Sequence, residues 1–293
     1  THQPKTLSPN KLVDINALSY TYLRNTPLAV TALSNVNFTM MEGQIQGLIG
    51  PTGSGKSTFM QHFNGLYTPQ SGTVSVGPFK VTDQADMIAL RRYACYVFQN
   101  PNYQLFSQYV GDEIAYGLKL QERPKDEIRE KVKAVMNWIG LDFEQFKDRL
   151  TQSLSGGERR KAALASMLIL NPTLLLLDEP TAGLDPFSRK DVRTKIKSLQ
   201  EQGKSILVSS HHLDDLAILT DHISLINSGT IVKQDETQAI LSNESLLAEN
   251  QMIAPLTIQI SAIMRENGWT ISGNPITPQE LVTGFSQMEN DHG

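Results

Sequence analysis

Cysteine is nearly absent from this chain: Cys95 is the only one among 293 residues. No internal disulfide can form, so a reducing compartment is expected. Cys95 lies in the apolar, strand-like run Ala94–Phe98, which points to a packed and inert thiol. Long hydrophobic runs are missing too. The longest, Ala162–Leu170, is interrupted by Ser166 and falls well short of the roughly 20 residues that span a bilayer. The chain is therefore expected not to cross a membrane by itself, and Thr1–Asn10 lacks the apolar centre of a secretory signal. A basic surplus is the third absence. The 26 Lys+Arg face 30 Asp+Glu, a net charge of −4, so nothing favours non-specific binding and no nucleic-acid partner is expected. What remains, 40% apolar and 19% charged residues, is the composition of an ordinary globular protein.

A single core stops growing at about 250–300 residues, so one full domain plus something smaller is expected. The first 40 residues alternate like half-buried strands through Leu12, Ile15, Val36, Phe38 and Met40. Gln44–Ile49 is a short apolar run leading into small residues, and a helix is expected from there to Asn64-Gly65. Gly72–Val81 reads as another alternating strand. From Asp86 to about Leu170 the period turns helical, with Ile128, Val132, Val135 and Ile139 as a stripe that Gly140 ends. Leu174–Leu177 reads as a strand buried on both faces, as in parallel sheets covered by helices. Asp185-Pro186 is an N-cap with proline at the first helical position, and Gly203 closes that helix. Ile206–Ser209 is a further buried strand, and Ile223–Ile226 and Thr230–Lys233 flank a hairpin turn. The core is complete near residue 235. Beyond it come short helical pieces, among them the capping box Thr277–Glu280 followed by an apolar stripe at Leu281, Val282, Phe285 and Met288.

Gly50-Pro51-Thr52-Gly53-Ser54-Gly55-Lys56-Ser57, followed by Thr58, fits G-x-x-x-x-G-K-[ST] between an apolar strand and a helix. Glycines there let successive backbone N–H groups point into one concavity, and the helix start adds partial positive charge. In such a loop Lys56 reaches the β and γ phosphates of a nucleotide and the Ser57 hydroxyl ligates Mg²⁺. Leu174–Leu177 then delivers Asp178 and Glu179 to the carboxyl end of a buried strand, the edge where ligands bind in open α/β sheets. Spacing makes Asp178 the metal-side carboxylate and Glu179 the one that orients or polarises the attacking water.

The third motif, Leu154-Ser155-Gly156-Gly157-Glu158 before a helix, resembles the signature of ABC-type ATPases. Together with the phosphate loop and Leu-Leu-Leu-Leu-Asp-Glu-Pro it is highly specific, and the resemblance covers roughly residues 10–235. It implies an α/β fold, an ABC-type P-loop NTPase with a mixed β-sheet core, an antiparallel β subdomain, a helical subdomain at about 86–170 and a small C-terminal helical extension at 236–293. It also implies ATP and Mg²⁺ as cofactors. Tyr22 matches the aromatic that stacks on adenine, although Tyr20 is only two residues away. Gln99 matches the loop glutamine that joins the Mg²⁺ site to the transport partner. Asp185, in Ala182-Gly-Leu-Asp185, matches the loop crossing a dimer interface. Either His211 or His212 matches the switch histidine, and counting from Lys204 through the strand favours His211. In the family, Ser155, Gly156 and Gly157 close on the γ-phosphate held by the opposite subunit, so a second ATPase subunit is required. Two departures stand out: Glu158 replaces the usual Gln, and Lys161 stands where Arg is commoner. A carboxylate near a neighbouring γ-phosphate weakens closure unless it turns away or pairs with Arg159 or Arg160.

Phe98-Gln-Asn-Pro-Asn-Tyr-Gln-Leu-Phe106 and Gly111-Asp-Glu-Ile-Ala-Tyr-Gly117 resemble the ATPase subunits of energy-coupling factor transporters, which drive prokaryotic uptake of vitamins or transition-metal ions. Thr181–Pro186 and the C-terminal tail are similar to the second of the two paralogous ATPases in such complexes. This resemblance implies a heterodimer with a paralogue, peripheral on the cytoplasmic side of the cell membrane. It further implies a transmembrane coupling subunit contacting about Gln99–Val110, with Leu105 and Phe106 as anchors, and a substrate-binding membrane subunit. The extension, with Ile260, Ile263 and Met264 in one stripe, would serve ATPase pairing or pack within the chain. The alternatives are a conventional binding-protein-dependent importer ATPase and a soluble non-transport ABC ATPase.

Overall fold

The computed structural model describes residues 10–289, with the side chains beyond Gly284 left aside. The segment Thr1–Pro9 and the apolar positions Phe285 and Met288 therefore lie outside what is described. The chain opens with β1 (Lys11–Tyr22), β2 (Val30–Met41) and β3 (Ile45–Ile49), then α1 (Lys56–Phe63), β4 (Ser71–Val76) and β5 (Phe79–Lys80). After α2 (Met87–Tyr93) and β6 (Ala94–Val97) come the helices α3 (Val110–Lys119), α4 (Lys125–Ile139), α5 (Phe143–Phe146) and α6 (Gly156–Leu168). β7 (Leu174–Asp178), α7 (Pro186–Glu201), β8 (Ser205–Ser209), α8 (Leu213–Leu219), β9 (His222–Asn227) and β10 (Thr230–Glu236) complete the sheets. Four short helices follow, α9 (Thr237–Leu241), α10 (Glu244–Glu249), α11 (Leu256–Glu266) and α12 (Pro278–Glu289).

The strands form two sheets. One is four-stranded in the order β2-β1-β4-β5; the other is six-stranded in the order β10-β9-β3-β8-β7-β6. In the larger sheet β9, β3, β8, β7 and β6 run parallel, and β10 closes the edge antiparallel to β9 as the expected hairpin. The leucines of β7 explain why that strand is apolar throughout. Leu175 and Leu177 face a core shared with α3, α4, α6 and α7, while Leu174 and Leu176 face a second core. That second core holds Phe59 and Phe63 of α1 against Phe38 and the rest of the small sheet.

Three local expectations are refined. Gly72–Val81 is not one strand: Gly77, at φ +52°, turns the chain between β4 and β5. In α4 the fully buried stripe is Ile128, Val132, Met136 and Ile139, while Val135 is half-buried beside it. Both sets fit a helical stripe, and the packing of α4 turns the Met136 side of it toward the core. β6 interrupts the helical stretch and forms the outer strand of the larger sheet. The C-terminal helices are docked, not free: Ile240, Leu241, Leu247, Ile258 and Ile276 belong to the larger core. On α11, Ile260 and Met264 are half-buried, and Ile263 is 58% exposed. No helix among the described residues is long and apolar enough to cross a membrane.

Candidate functional site

Parallel pairing brings four strand ends to one edge. Leu48 pairs with Ser209 and Asp178 pairs with Ser209, so the phosphate loop after β3, the acids after β7 and the histidines after β8 are neighbours. Val97 pairs with Leu177, which places Gln99 on the same edge. This is the carboxyl edge, where an open α/β sheet binds ligands.

The loop is pressed tightly onto its surroundings. A Cβ at Gly50 (φ +153°) would lie 2.0 Å from the Ile226 carbonyl oxygen, and one at Gly55 (φ +102°) would lie 2.7 Å from that of Ala32. Helix α1 starts at Gly55 with no side-chain cap, so its first N–H groups are left for a ligand. Ser54 Oγ is buried and has no hydrogen-bond partner among the described residues. Lys56 curls back, its Nζ donating to the carbonyls of Gly50 (2.7 Å) and Pro51 (2.9 Å). Burial lowers the Lys56 pKa, opposed by the charges of Glu179 and Asp178. Uncapped amides, an orphaned hydroxyl and a lysine satisfied only by its own loop together fit a polyphosphate. Thr52 and Gly53 on the rim are exposed, and Pro51 is half-buried.

Asp178 is buried and held from both sides. Ser209 Oγ donates to Oδ1 (2.5 Å) and the Tyr96 phenol donates to Oδ2 (2.6 Å). Glu179, also buried, takes the left-handed backbone value φ +50°. Its N–H donates to Ser209 Oγ (3.0 Å), and its Oε2 lies 2.8 Å from His211 Nδ1. His211, not His212, is thus the histidine beside the acid. The His212 Nε2 sits 3.5 Å from Arg189, and burial, more than its charged neighbours, keeps its pKa low. Hard oxygen donors at Ser57 and Asp178 fit Mg²⁺. Gln99 is exposed, and its carbonyl accepts from Arg160 (3.2 Å).

Tyr22 packs edge-on against Tyr20 and Tyr67, and its hydroxyl lies 2.8 Å from Thr58 Oγ1. Tyr20 instead stands edge-on to buried His62. Of the two tyrosines, Tyr22 is the one bonded to the helix of the phosphate loop. Asp185 N-caps α7, accepting from Phe187 N (2.9 Å) and Ser188 N (3.0 Å).

The signature stands at the surface. Ser155 and Gly156 are exposed, and nothing lies within 4 Å of where a Cβ on Gly156 would be. Glu158 turns away from that surface. Its Oε2 accepts from the Ser155 N–H (2.7 Å) while Ser155 Oγ accepts from the Glu158 N–H (3.3 Å), a reciprocal capping box. The Ser155 amide bond holds the Glu158 carboxyl below its usual range, and the cation beside it is Arg149, not the expected Arg159 or Arg160. A glutamine makes the same backbone bond through its amide oxygen. Glu158→Gln should therefore change steady-state ATPase rate less than tenfold, and complete loss of phosphate release would contradict this placement.

Several residues at the site escape motif reading. Arg160 of the signature helix donates to the carbonyls of Gln99, Pro180 and Ala182, tying the loops after β6 and β7 together. Gln104 donates to the Ala163 carbonyl (2.7 Å) and accepts from Phe98 N (3.3 Å), stapling the loop after β6 onto α6. Buried Asp215 accepts from Thr181 Oγ1 (2.8 Å) and Arg193 (2.9 Å). The readable signals were weak: a hydroxyl inside the buried strand Ala94–Val97, and arginines four apart at Arg189 and Arg193.

The ABC transporter family profile matches residues 33–182. The chain is 38% identical to the energy-coupling factor transporter ATP-binding protein EcfA2 of Clostridioides difficile (strain 630), over 95% of this chain and 98% of that protein. With EcfA2 of Clostridium perfringens it shares 37% identity, over 89% and 92% of the two chains. Among solved structures, cbiO1 from Clostridium perfringens, part of the ABC transporter complex cbiONQ, aligns with a TM-score of 0.71 and 28% identity, covering 87% of this chain and 99% of that one. The ADP- and Pi-bound dimer of the ATP-binding cassette MJ0796 aligns with a TM-score of 0.71 at 27% identity, covering 77% and 98%. The fold, the phosphate loop and the signature define an ABC ATPase, and the chain belongs to the ABC transporter family. Within that family it belongs with the energy-coupling factor transporter ATP-binding proteins of the EcfA2 type.

Proposed function

We propose that this chain is the ATP-binding and hydrolysing subunit of an energy-coupling factor transporter. It works as a peripheral protein on the cytoplasmic face of the cell membrane and powers uptake of a vitamin or transition-metal ion through a separate membrane subunit. The observation that carries this reading is a division of labour on the surface. One sheet edge gathers the nucleotide residues, while in the signature Ser155 and Gly156 are exposed and Gly157 half-buried, and among the described residues the Ser155 side chain bonds within its own helix start. The chain thus holds two halves of two different sites, and pairing with a paralogous ATPase completes both.

In this reading residues 1–235 form the nucleotide-binding domain. Gly50–Thr58 wrap the phosphates, with Lys56 on the β and γ groups. Tyr22 supports adenine, and Ser57, Asp178 and Gln99 hold Mg²⁺. When bound, Mg²⁺ would supply charge neutralisation at the phosphates. Glu179 orients the attacking water, and His211, bonded to Glu179, reaches the γ-phosphate. Ser155, Gly156 and Gly157 close on the partner's nucleotide, and Asp185 lies in the loop crossing between subunits.

An aromatic patch supports the membrane partner. Tyr103 is 79% and Phe106 is 66% exposed, and Phe106 stands edge-on to Tyr116, whereas Leu105 packs inward. Solvent-facing aromatics are the usual anchors of an interface. The 236–293 extension presents Ile253, Leu256 and Ile263 outward for ATPase pairing. Because its inner face is core, point changes at these residues, not truncation near residue 240, separate pairing from folding. Affinity purification from membranes should recover a paralogous ATPase, a coupling membrane protein and a substrate-binding membrane protein. Phe106→Asp should lose both membrane proteins yet keep the ATPase partner and ATP binding. Recovery of nucleic acid or ribosomes in place of membrane proteins would refute the assignment.

A further inference from the structure

Tyr96 is the one hydroxyl in β6, whose other residues are Ala94, Cys95 and Val97. It is 4% exposed, and its ring stands edge-on to Phe98 with 4.8 Å between centroids, so the phenol has a fixed aim. Its hydroxyl donates to Asp178 Oδ2 at 2.6 Å. The same oxygen accepts from Gln61 Nε2 of α1 at 3.4 Å. One buried oxygen therefore joins the strand carrying Asp178 to the helix carrying Ser57. Ser209 grips the other carboxylate oxygen at 2.5 Å. Each carboxylate oxygen then carries one short bond from a neutral donor and keeps lone-pair capacity for a cation.

Filling this space needs no hydroxyl, since phenylalanine has the same ring. A buried phenol requires a partner, and here the partner is a carboxylate that itself lies 4% exposed. We propose that Tyr96 is a positioning residue for Mg²⁺, tying Asp178 to α1, the helix that carries Ser57, and holding the Asp178 carboxylate in the orientation in which it would ligate the ion. The proposal rests on the reading of Ser57 and Asp178 as the metal-side residues. It adds a residue outside the three motifs, from the outer strand of the sheet. Loss of the phenol leaves Oδ2 without its donor and frees the carboxylate to turn about its remaining bond to Ser209. Groups that orient a metal ligand in this way typically contribute about 10–100-fold to metal affinity.

The test uses the full chain and a non-hydrolysable ATP analogue, with fluorescent-analogue binding measured in chelator and free Mn²⁺ followed by electron spin resonance. Tyr96→Phe should bind the analogue without metal to within about twofold of wild type, which also reports that the loop is folded. Its Mn²⁺ affinity in the analogue complex should fall about tenfold. Asp178→Asn is run beside it. If Asp178→Asn removes the metal-dependent binding while Tyr96→Phe matches wild type, the proposal fails and the metal-side reading stands. If Asp178→Asn leaves metal binding intact, the reading itself falls and the proposal with it. Equal loss with and without metal in Tyr96→Phe would mean a general structural role, and that too overturns it.

Discussion

Replacing Glu179 by glutamine should abolish turnover, lowering phosphate release by roughly 10²–10³-fold, while ATP still binds and the ATPase pair closes and stays closed. Glutamine has the same shape and keeps an oxygen at the position that faces His211 Nδ1, 2.8 Å away in the native chain. What it removes is the negative charge and the ability to accept a proton from water. The backbone makes the site demanding: Glu179 holds φ +50°, costly for a non-glycine residue. Its N–H is fixed by Ser209 Oγ and the Ser209 carbonyl, at 3.0 and 3.2 Å. Such a conformation persists only where the surroundings over-determine it, and here it aims a buried carboxylate at the edge holding the phosphate loop. Removing the charge also removes a favourable field at Lys56 and Arg160, whose pKa values burial lowers and Glu179 helps to keep up. Phosphate release and ATP-dependent dimerisation by size exclusion check both halves. Full activity in the variant would show that another group orients the water.

The motifs were legible because their chemistry is contiguous in the chain. A phosphate loop is eight neighbouring positions, and the acids follow the leucines directly, so strand, turn and helix grammar locates them without any tertiary knowledge. The bonds that align these motifs were not legible, because they join residues far apart in sequence. Tyr96 meets Asp178 across 82 positions, and Gln104 meets Ala163 across 59. Helix stripes were readable to within one residue, as Met136 in place of Val135 shows, since two period choices fit the same spacing. Glu158 is instructive in another way. Its departure from the usual glutamine raised an electrostatic concern about the neighbouring γ-phosphate. Yet Ser155-x-x-Glu158 is itself a capping-box pattern, the same one read at Thr277–Glu280, and both boxes form. The local capping rule alone accounts for the position of Glu158.

Asp215→Ala should be the most damaging change outside the motifs. The Asp215 side chain is 3% exposed and accepts from Arg193 Nη1 (2.9 Å) and Thr181 Oγ1 (2.8 Å), with Arg189 Nε at 3.9 Å. Alanine leaves two guanidiniums together on α7 and a buried hydroxyl without an acceptor. Breaking a buried ion pair from one side costs about 3–5 kcal/mol, and the partial exposure of both arginines, 23% and 30%, puts the loss near 3. For a chain of this size that lowers the melting temperature by about 5 °C. The same anchor ties three segments that meet nucleotide or partner in the proposed function. Thr181 lies between Glu179 and Asp185, α7 is capped by Asp185, and α8 begins just after His211. The ATPase rate at 25 °C, where the variant is still folded, should therefore fall at least tenfold, beyond what the unfolded fraction explains. Asp215→Asn keeps an acceptor for Thr181 and loses only the charge, so it should recover part of the rate with less of the stability. A variant with lowered melting temperature but native turnover per folded molecule would make Asp215 a packing anchor and nothing more.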